Sequence, residues 1–293
     1  MRATRLLGAT LLVLAACAAP APTRPLDAEL ASAGRLTACL SLLGSLAAEQ
    51  GSDGSLSGYN VDFANELADR LGLAAELVVT PFDELIDRVE DHACDVSVSS
   101  QNITAGRLAR VDMIAYTRAS QRVLVARGNP AGVTDLGGLC GLMVSTTEGS
   151  IFADMVEGTG DFAGRGLSQA CLASGRLPVE VHKFGDQGDA VQALIDGQVS
   201  AHLGNPNFSF DFPQHLSQSP ARLPASRQGI GVAKDHPHLH QAIETALANA
   251  ISDGTYHDIL FEYLGDERLV EAGSVEAPGT SGGSSASPAP ATP

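Results

Sequence analysis

Positive charge is scarce in this chain. Eighteen Lys and Arg residues stand against 34 Asp and Glu, leaving a net charge of −16 at pH 7. That balance argues against nucleic acid or an anionic membrane surface as a partner. Lysine occurs only at Lys183 and Lys234; with so much Ala and Gly around it, the bias toward arginine reads as composition, not function. Tryptophan is missing, and no aromatic residue falls between positions 36 and 58, so that stretch offers no ring to cover a ligand. Long apolar runs are rare too. Residues 6–16 are apolar but too short to span a bilayer as a permanent helix, and no other segment is long and apolar enough. Cysteine is limited to five positions, no two of them close in sequence, which gives no zinc-site spacing.

What is present begins at the N-terminus. "MRATRLLGATLLVLAACAAP" opens with basic Arg2 and Arg5, and residues 6–16 form an apolar stretch of signal-peptide length. It ends in Leu14-Ala15-Ala16-Cys17, which resembles a bacterial lipobox. The resemblance implies an exported chain whose first mature residue is a lipidated Cys17, anchored to the outer face of the cell membrane. Residues 1–17 are read as signal peptide, 18–33 as a Pro/Ala linker and 269–293 as a Gly/Ser/Pro/Ala-rich tail unable to bury a core. The globular part is then 34–268, enough for two modest lobes. It holds Cys39, Cys94, Cys140 and Cys171. Export favours disulfides, and the count alone leaves three connectivities open.

Hydrophobic periodicity organises this part twice over. "GRLTACLS", "AELVVTP" and "CDVSVSS" read as strands, separated by amphipathic helices in "VDFANELADRLGL" and "FDELIDRVEDHA". The order recurs in "LCGLMVS", "TEGSIFADMVEG", "LPVEVHKFG", "DQGDAVQALIDGQ" and "VSAHLGN". Each βαβαβ run predicts a parallel sheet with right-handed crossovers. "SQRVLVARGNP" joins the two as an extended segment, "RQGIGVAKD" adds a strand, and "HPHLHQAIETALANAISDGTYHDILFEYLG" closes with two helices. The fold class is α/β in two similar lobes. Ligands of open parallel sheets sit beyond the C-terminal strand ends, and "SSQNITAGR" (99–107) and Ser145-Thr146-Thr147 occupy such ends.

Taken in order, "GRLT", "SGYNVDFANELADRLGL", "PFDELIDRV", "CDVSVSSQNITAGRLARVDM", "RVLVARGNP", "DLGGLCGLMVSTTEGS", "GIGVAKDHP" and "ISDGTYHDIL" resemble extracellular solute-binding protein family 3. The resemblance covers about 34–266. It implies a two-lobed type II periplasmic-binding-protein-like fold, each lobe a parallel sheet flanked by helices, with the ligand cleft between them. Lobe one is then 34–118 with 224–268, and lobe two is 119–223. It further implies a monomer without cofactor or metal that delivers polar amino acids, or similar small carboxylate-bearing solutes, to ABC permease subunits. The fold puts Cys39 and Cys94 on neighbouring strands. "LCG" with "ACLASG" resembles a high-GC Gram-positive subgroup with a disulfide in lobe two. The implied pairs are Cys39–Cys94 and Cys140–Cys171.

The resemblance also implies that "SSQNITAGR" lines the cleft and that Arg107 grips the α-carboxylate against backbone amides of lobe two. The chemistry agrees. A guanidinium presents a planar fork to a carboxylate, and Ser145-Thr146-Thr147 precede a helix, whose free N–H groups favour an anion. Ser99, Ser100, Asn102, Thr104, Thr146, Thr147 and Asn205 complete the expected ligand set. Plainer roles stay open: Arg107 paired with Asp112 or capping its own short helix, and Thr146 or Thr147 as an N-cap. Acids that hold a ligand ammonium in this family fall at Leu43 and Asn205, the covering aromatic near Ala47, and an acidic motif position at Asn60. The carboxylate grip is kept and the ammonium grip lost, unless Glu49 or Glu148 supplies the charge. Asp186 reads as an N-cap or part of the cleft wall. Phe208, Phe210 and Phe212 read as one side of an extended segment, and His236, His238 and His240 as the lead into a surface helix, not as metal ligands.

Three functions compete. The first is the lipid-anchored solute receptor of an ABC importer. The second is an enzyme on the same scaffold, such as a dehydratase, which needs a general acid or base in the cleft; Leu43, Ala47, Ser99, Asn102, Thr146 and Asn205 supply none, with only Glu148 or Glu49 in reserve. The third is a sensor lipoprotein signalling to a membrane partner, which sequence does not separate from transport. The lipobox makes the first testable point. Cys17→Ser is expected to release the protein from the membrane fraction or to leave an unprocessed precursor; correct processing with unchanged fractionation refutes the anchor.

Overall fold

The computed structural model describes residues 24–119, 121–224 and 226–272, so Cys17 and the tail from 273 lie outside the described residues. The first lobe opens with β1 (Arg35–Leu40) and the short pair β2 (Glu49–Gln50) and β3 (Leu56–Ser57). It continues through α1 (Tyr59–Leu71), β4 (Ala74–Val79), α2 (Leu85–Glu90), β5 (Val96–Asn102), α3 (Ala105–Arg110) and β6 (Val111–Ala119). The second lobe holds β7 (Arg122–Ala126), β8 (Met143–Thr147), α4 (Ile151–Glu157), α5 (Leu167–Ala173) and β9 (Glu180–Phe184). Then come α6 (Gln187–Ile195), β10 (Ala201–Leu203), α7 (Phe208–Asp211) and β11 (Leu216–Arg222). The chain returns to the first lobe as β12 (Ser226–Ala233), α8 (Pro237–Asp253) and α9 (Thr255–Ala272).

The two sheets run β4-β1-β5-β12-β6 and β11-β7-β10-β8-β9. Each has the parallel core that the βαβ periodicity predicts, β4-β1-β5 and β10-β8-β9. Strands that carry the chain between lobes run against that grain: β12 is antiparallel to β5 and β6, and β7 to β10 and β11. The periodicity did not announce β6 or β11. Pro220 within β11 is tolerated because that strand lies at the sheet edge. The two crossings lie side by side, with Ala119 opposite Ser226, Arg122 opposite Arg222, and Leu223 N donating to Gln121 O at 2.8 Å. Two adjacent crossings of this kind are the connection about which two lobes can turn through a few backbone torsions.

Apolar faces fix the helices on the sheets. Phe63 and Leu67 of α1 and Leu239, Ile243 and Leu247 of α8 are buried with Val96, Val98, Ile230 and Val232 in one core, each large side chain stabilising by roughly 1.5–3 kcal/mol. Cys39 of β1 is bonded to Cys94, just ahead of β5, and Cys140 is bonded to Cys171 of α5. Two local expectations are corrected. Part of the expected linker is folded: Leu26 and Leu30 pack on the first lobe's core, and Asp95 accepts Ala31 N at 2.7 Å. The Phe208–Phe212 segment is a one-turn helix, not extended. Asn205 Oδ1 accepts Asn207 N at 3.1 Å and Ser209 Oγ donates to Pro206 O at 2.8 Å, which turns the chain, and the Phe208 and Phe212 rings stack in parallel.

His202 lies at the centre of the second sheet, fully buried on β10, with Nδ1 3.1 Å from Ser145 Oγ and Nε2 unpartnered. Burial pushes its pKa down to about 3. The unfolded chain takes up this proton near pH 6.5, whereas the folded chain refuses it until about 3. Stability is therefore intact above the unfolded value and falls as pH drops through it. His202→Asn is expected to reduce the loss of unfolding free energy between pH 7 and pH 5 by about 2 kcal/mol. Urea titrations of both proteins at the two pH values check this, and equal losses refute it.

Candidate functional site

The polar end of β5 is built largely inward. Ser99 Oγ accepts Ser41 N at 2.9 Å. Ser100 has a left-handed backbone (φ 50°), which turns its side chain into a buried cluster. There its Oγ meets Tyr59 Oη at 2.8 Å and accepts Asn60 Nδ2 at 3.1 Å, while its N–H donates to Tyr116 Oη at 2.7 Å. Tyr116 Oη in turn donates to Asn60 Oδ1 at 2.6 Å. Burial pushes both phenols up, so they remain protonated donors. Asn60 is held there by Gly58: a Cβ at Gly58 would sit 2.5 Å from Ala47 O, and the close approach lets Asn60 N donate to that same carbonyl at 3.0 Å. Asn60 is thus a structural hub, and Ala47 is buried against the start of α1.

Arg107 stands on the seam between the lobes. Thr104 caps α3 by accepting Arg107 N at 3.1 Å. The guanidinium then donates to Asn102 O of its own lobe at 2.6 Å and to Gly149 O of the other at 2.9 Å, and its Cζ lies 5.5 Å from the centre of the Phe82 ring. It is half-buried. Burial lowers its pKa to about 10, with Asp154 and Asp161 opposing, so it stays a cation. It does not pair with Asp112, which meets Lys234 at 3.4 Å. Gly149 has φ 71°, and a Cβ there would lie 2.8 Å from Asp83 Cα, so only glycine lets the lobes meet this closely. A second clasp lies elsewhere on the seam. Ser45 donates from N to Asp211 Oδ2 at 3.2 Å and from Oγ to Asp211 Oδ1.

The lobe-two partner differs from the expected amide cradle. Glu148 N is taken by Phe184 O at 2.8 Å and Ser150 N by Thr147 O at 3.2 Å, and what faces Arg107 is a carbonyl. Neither threonine caps α4, whose N-cap is Ser150. Thr146 is fully buried, its hydroxyl donating to Leu203 O at 2.9 Å and meeting Ser150 Oγ at 2.9 Å. Thr147 keeps its buried hydroxyl unpartnered.

Between the lobes lies a chamber of about 30 Å³, room for roughly one water. Of the expected set, Ser100, Asn102, Thr147 and Asn205 line it, together with Leu43. Ser99 and Thr146 lie behind its wall, and Thr104 and Arg107 line a separate groove of about 230 Å³. Gln121 of the hinge, Gln187, Gln228, Phe82 and Phe152 also line the chamber and escaped the sequence reading. Gln187 Nε2 donates to Asn205 O at 3.1 Å, and Gln228 Oε1 accepts Thr117 Oγ1 at 2.8 Å. Phe82 borders the groove, the chamber and a third cavity. That third cavity, about 550 Å³, shares Leu43 and Thr147 with the chamber and carries Asp83, Glu84, Asp186 and Asp189 on its lining. Asp186 also caps α6, accepting Gly188 N at 2.6 Å. Glu49 and Glu148 are exposed, and neither lines the chamber.

Two α/β lobes joined by a double-stranded hinge, with a polar chamber at their seam, define a two-lobed solute-binding protein. The comparisons specify the family. Residues 47–266 match the bacterial extracellular solute-binding proteins, family 3, and the chain belongs to that family. It is similar to the L-cystine-binding protein TcyJ of Escherichia coli (strain K12), 26% identical over 221 residues, which are 74% of this chain and 77% of that protein. The lysine/arginine/ornithine-binding periplasmic protein of the same strain is 27% identical over 223 residues, 72% of this chain and 80% of its own. Among solved structures, an ancestral arginine-binding protein bound to glutamine superposes with a TM-score of 0.70 at 26% identity, covering 80% of this chain and 100% of that one.

Proposed function

We propose that this chain is the lipid-anchored solute-binding component of an ABC importer, and that its lobes (34–118 with 224–268, and 119–223) close on a small carboxylate-bearing solute of the amino-acid kind. The observation that carries the reading is Arg107, a half-buried cation on the seam whose donors span both lobes. When the lobes part, its bond to Gly149 O is given up, and its fork is free for a carboxylate. Thr147, with an unpartnered hydroxyl, and Asn102 and Asn205 are neutral groups that line the adjoining chamber. Relatives named for cystine, arginine, histidine and lysine binding support an amino-acid-like solute. The chamber's lining holds no carboxylate, imidazole or thiol, which favours binding over acid–base catalysis.

Mass spectrometry of co-purifying solutes, backed by thermal-shift screening, identifies the ligand. Arg107→Ala is then expected to weaken it by about two to three and a half decades, since stripping one partner from a buried ion pair costs roughly 3–5 kcal/mol. Calorimetry within a few-fold of the parent removes Arg107 from the site.

The neutral chamber sets a further preference. An ammonium buried among Leu43, Asn205 and glutamines has no counter-charge and is heavily penalised. The acids lie outside it, around the open third cavity. A carboxylate whose amine is absent, acylated or turned toward that cavity is expected to bind better than one that buries a free ammonium in the chamber. Titrating an amino acid beside its N-acetyl and des-amino analogues decides. Sub-micromolar binding of an ordinary amino acid, with its ammonium seen buried against a carboxylate, overturns the preference.

A further inference from the structure

The run His236, His238, His240 does not act as one cluster in the fold. His238 turns to Glu29, with Nδ1 2.6 Å from Oε1. His236 instead meets two residues near it in space, His92 after α2 and Asp235 in the turn between β12 and α8. One possible ligand atom from each of the three lies within 4.8 Å of the others. His92 Nε2 is 3.0 Å from Asp235 Oδ1, and the two imidazoles stack 4.3 Å apart at 25°. His236 Nδ1 is shielded from solvent and has no hydrogen-bond partner, a costly state for a ring nitrogen.

Both turns are braced. His92 N donates to Val89 O at 3.1 Å and His236 N to Ala233 O at 3.1 Å, and Cys94, two residues beyond His92, is bonded to Cys39 of β1. We propose that His92, Asp235 and His236 form a binding site for a divalent transition-metal ion of the zinc class on the outside of the first lobe, away from the cleft. Two imidazoles and one carboxylate suit zinc and its neighbours, whereas calcium and magnesium take oxygen ligands. Ligands about 2 Å from zinc stand a little over 3 Å apart, so the span closes by side-chain rotation. His92 coordinates as neutral imidazole, and two coordinate bonds replace its hydrogen bond to Asp235. A water completes the tetrahedron. The ion would staple two turns 143 residues apart.

The test uses protein purified without a histidine tag, stripped by chelator and titrated with zinc chloride in a calorimeter. One ion per chain is expected. His92→Ala, His236→Ala and Asp235→Asn should each weaken binding at least tenfold, while His238→Ala and His240→Ala leave it unchanged. Circular dichroism shows whether each variant is folded. Cobalt(II) gives a second readout, with tetrahedral visible bands expected in the parent and lost in Asp235→Asn. No stoichiometric binding, affinity within a few-fold in both His92→Ala and Asp235→Asn, or dependence on His238 and His240 overturns the site.

Discussion

A guanidinium drawn out of water must find oxygen, and the cleft is organised around that requirement. Arg107 reaches its place because Thr104 caps α3 one turn earlier. From there its donors meet Asn102 O on one side and Gly149 O on the other. The second contact exists only because Gly149 allows the second lobe to press against Asp83. Strand end and glycine turn thus converge on one cation. The groove it lines carries Asp83, Asp154 and Asp161, whereas the adjoining chamber is lined by uncharged groups.

The same rule governs the strand that leads to it. Seven consecutive residues of β5 are buried, four of them Ser, Gln or Asn from position 99 onward, and buried polar groups must be paired. Ser99 answers to the backbone of Ser41, Ser100 to a Tyr59–Asn60–Tyr116 cluster, and Ser97 to Gln101 at 2.8 Å. This density of hydroxyls and amides is first of all a scaffold. It leaves few of the strand's groups facing the chamber.

Local signals were therefore legible and convergent ones were not. Strand–helix alternation and the Asp186 cap depend on a few neighbouring residues, and the fold keeps them. The chamber is different. Gln121, Gln187 and Gln228 come from the hinge, a helix start and a returning strand, and a glutamine in sequence looks like any surface amide. Phe82 stands ahead of α2, where periodicity marks only a helix start. Thr146 and Thr147, adjacent in β8, point to opposite sides, so one braces Leu203 O while the other lines the chamber. The resemblance to a family placed the pair; only the fold separated their roles.

On the proposed reading, the shut cleft is itself a competitor of the solute. Arg107 is satisfied by two carbonyls, and Ser45 by the Asp211 carboxylate, while a chamber of about 30 Å³ leaves no room for an amino acid. A solute must part these contacts before it makes its own. What it offers in return is a charged acceptor whose two oxygens match the guanidinium fork in a bidentate pair. The measured affinity is then the intrinsic one reduced by the fraction of molecules open to receive the solute. Ser45, Asp211 and Gly149 act on that fraction without lining the chamber, so their contacts set affinity alongside those that hold the ligand.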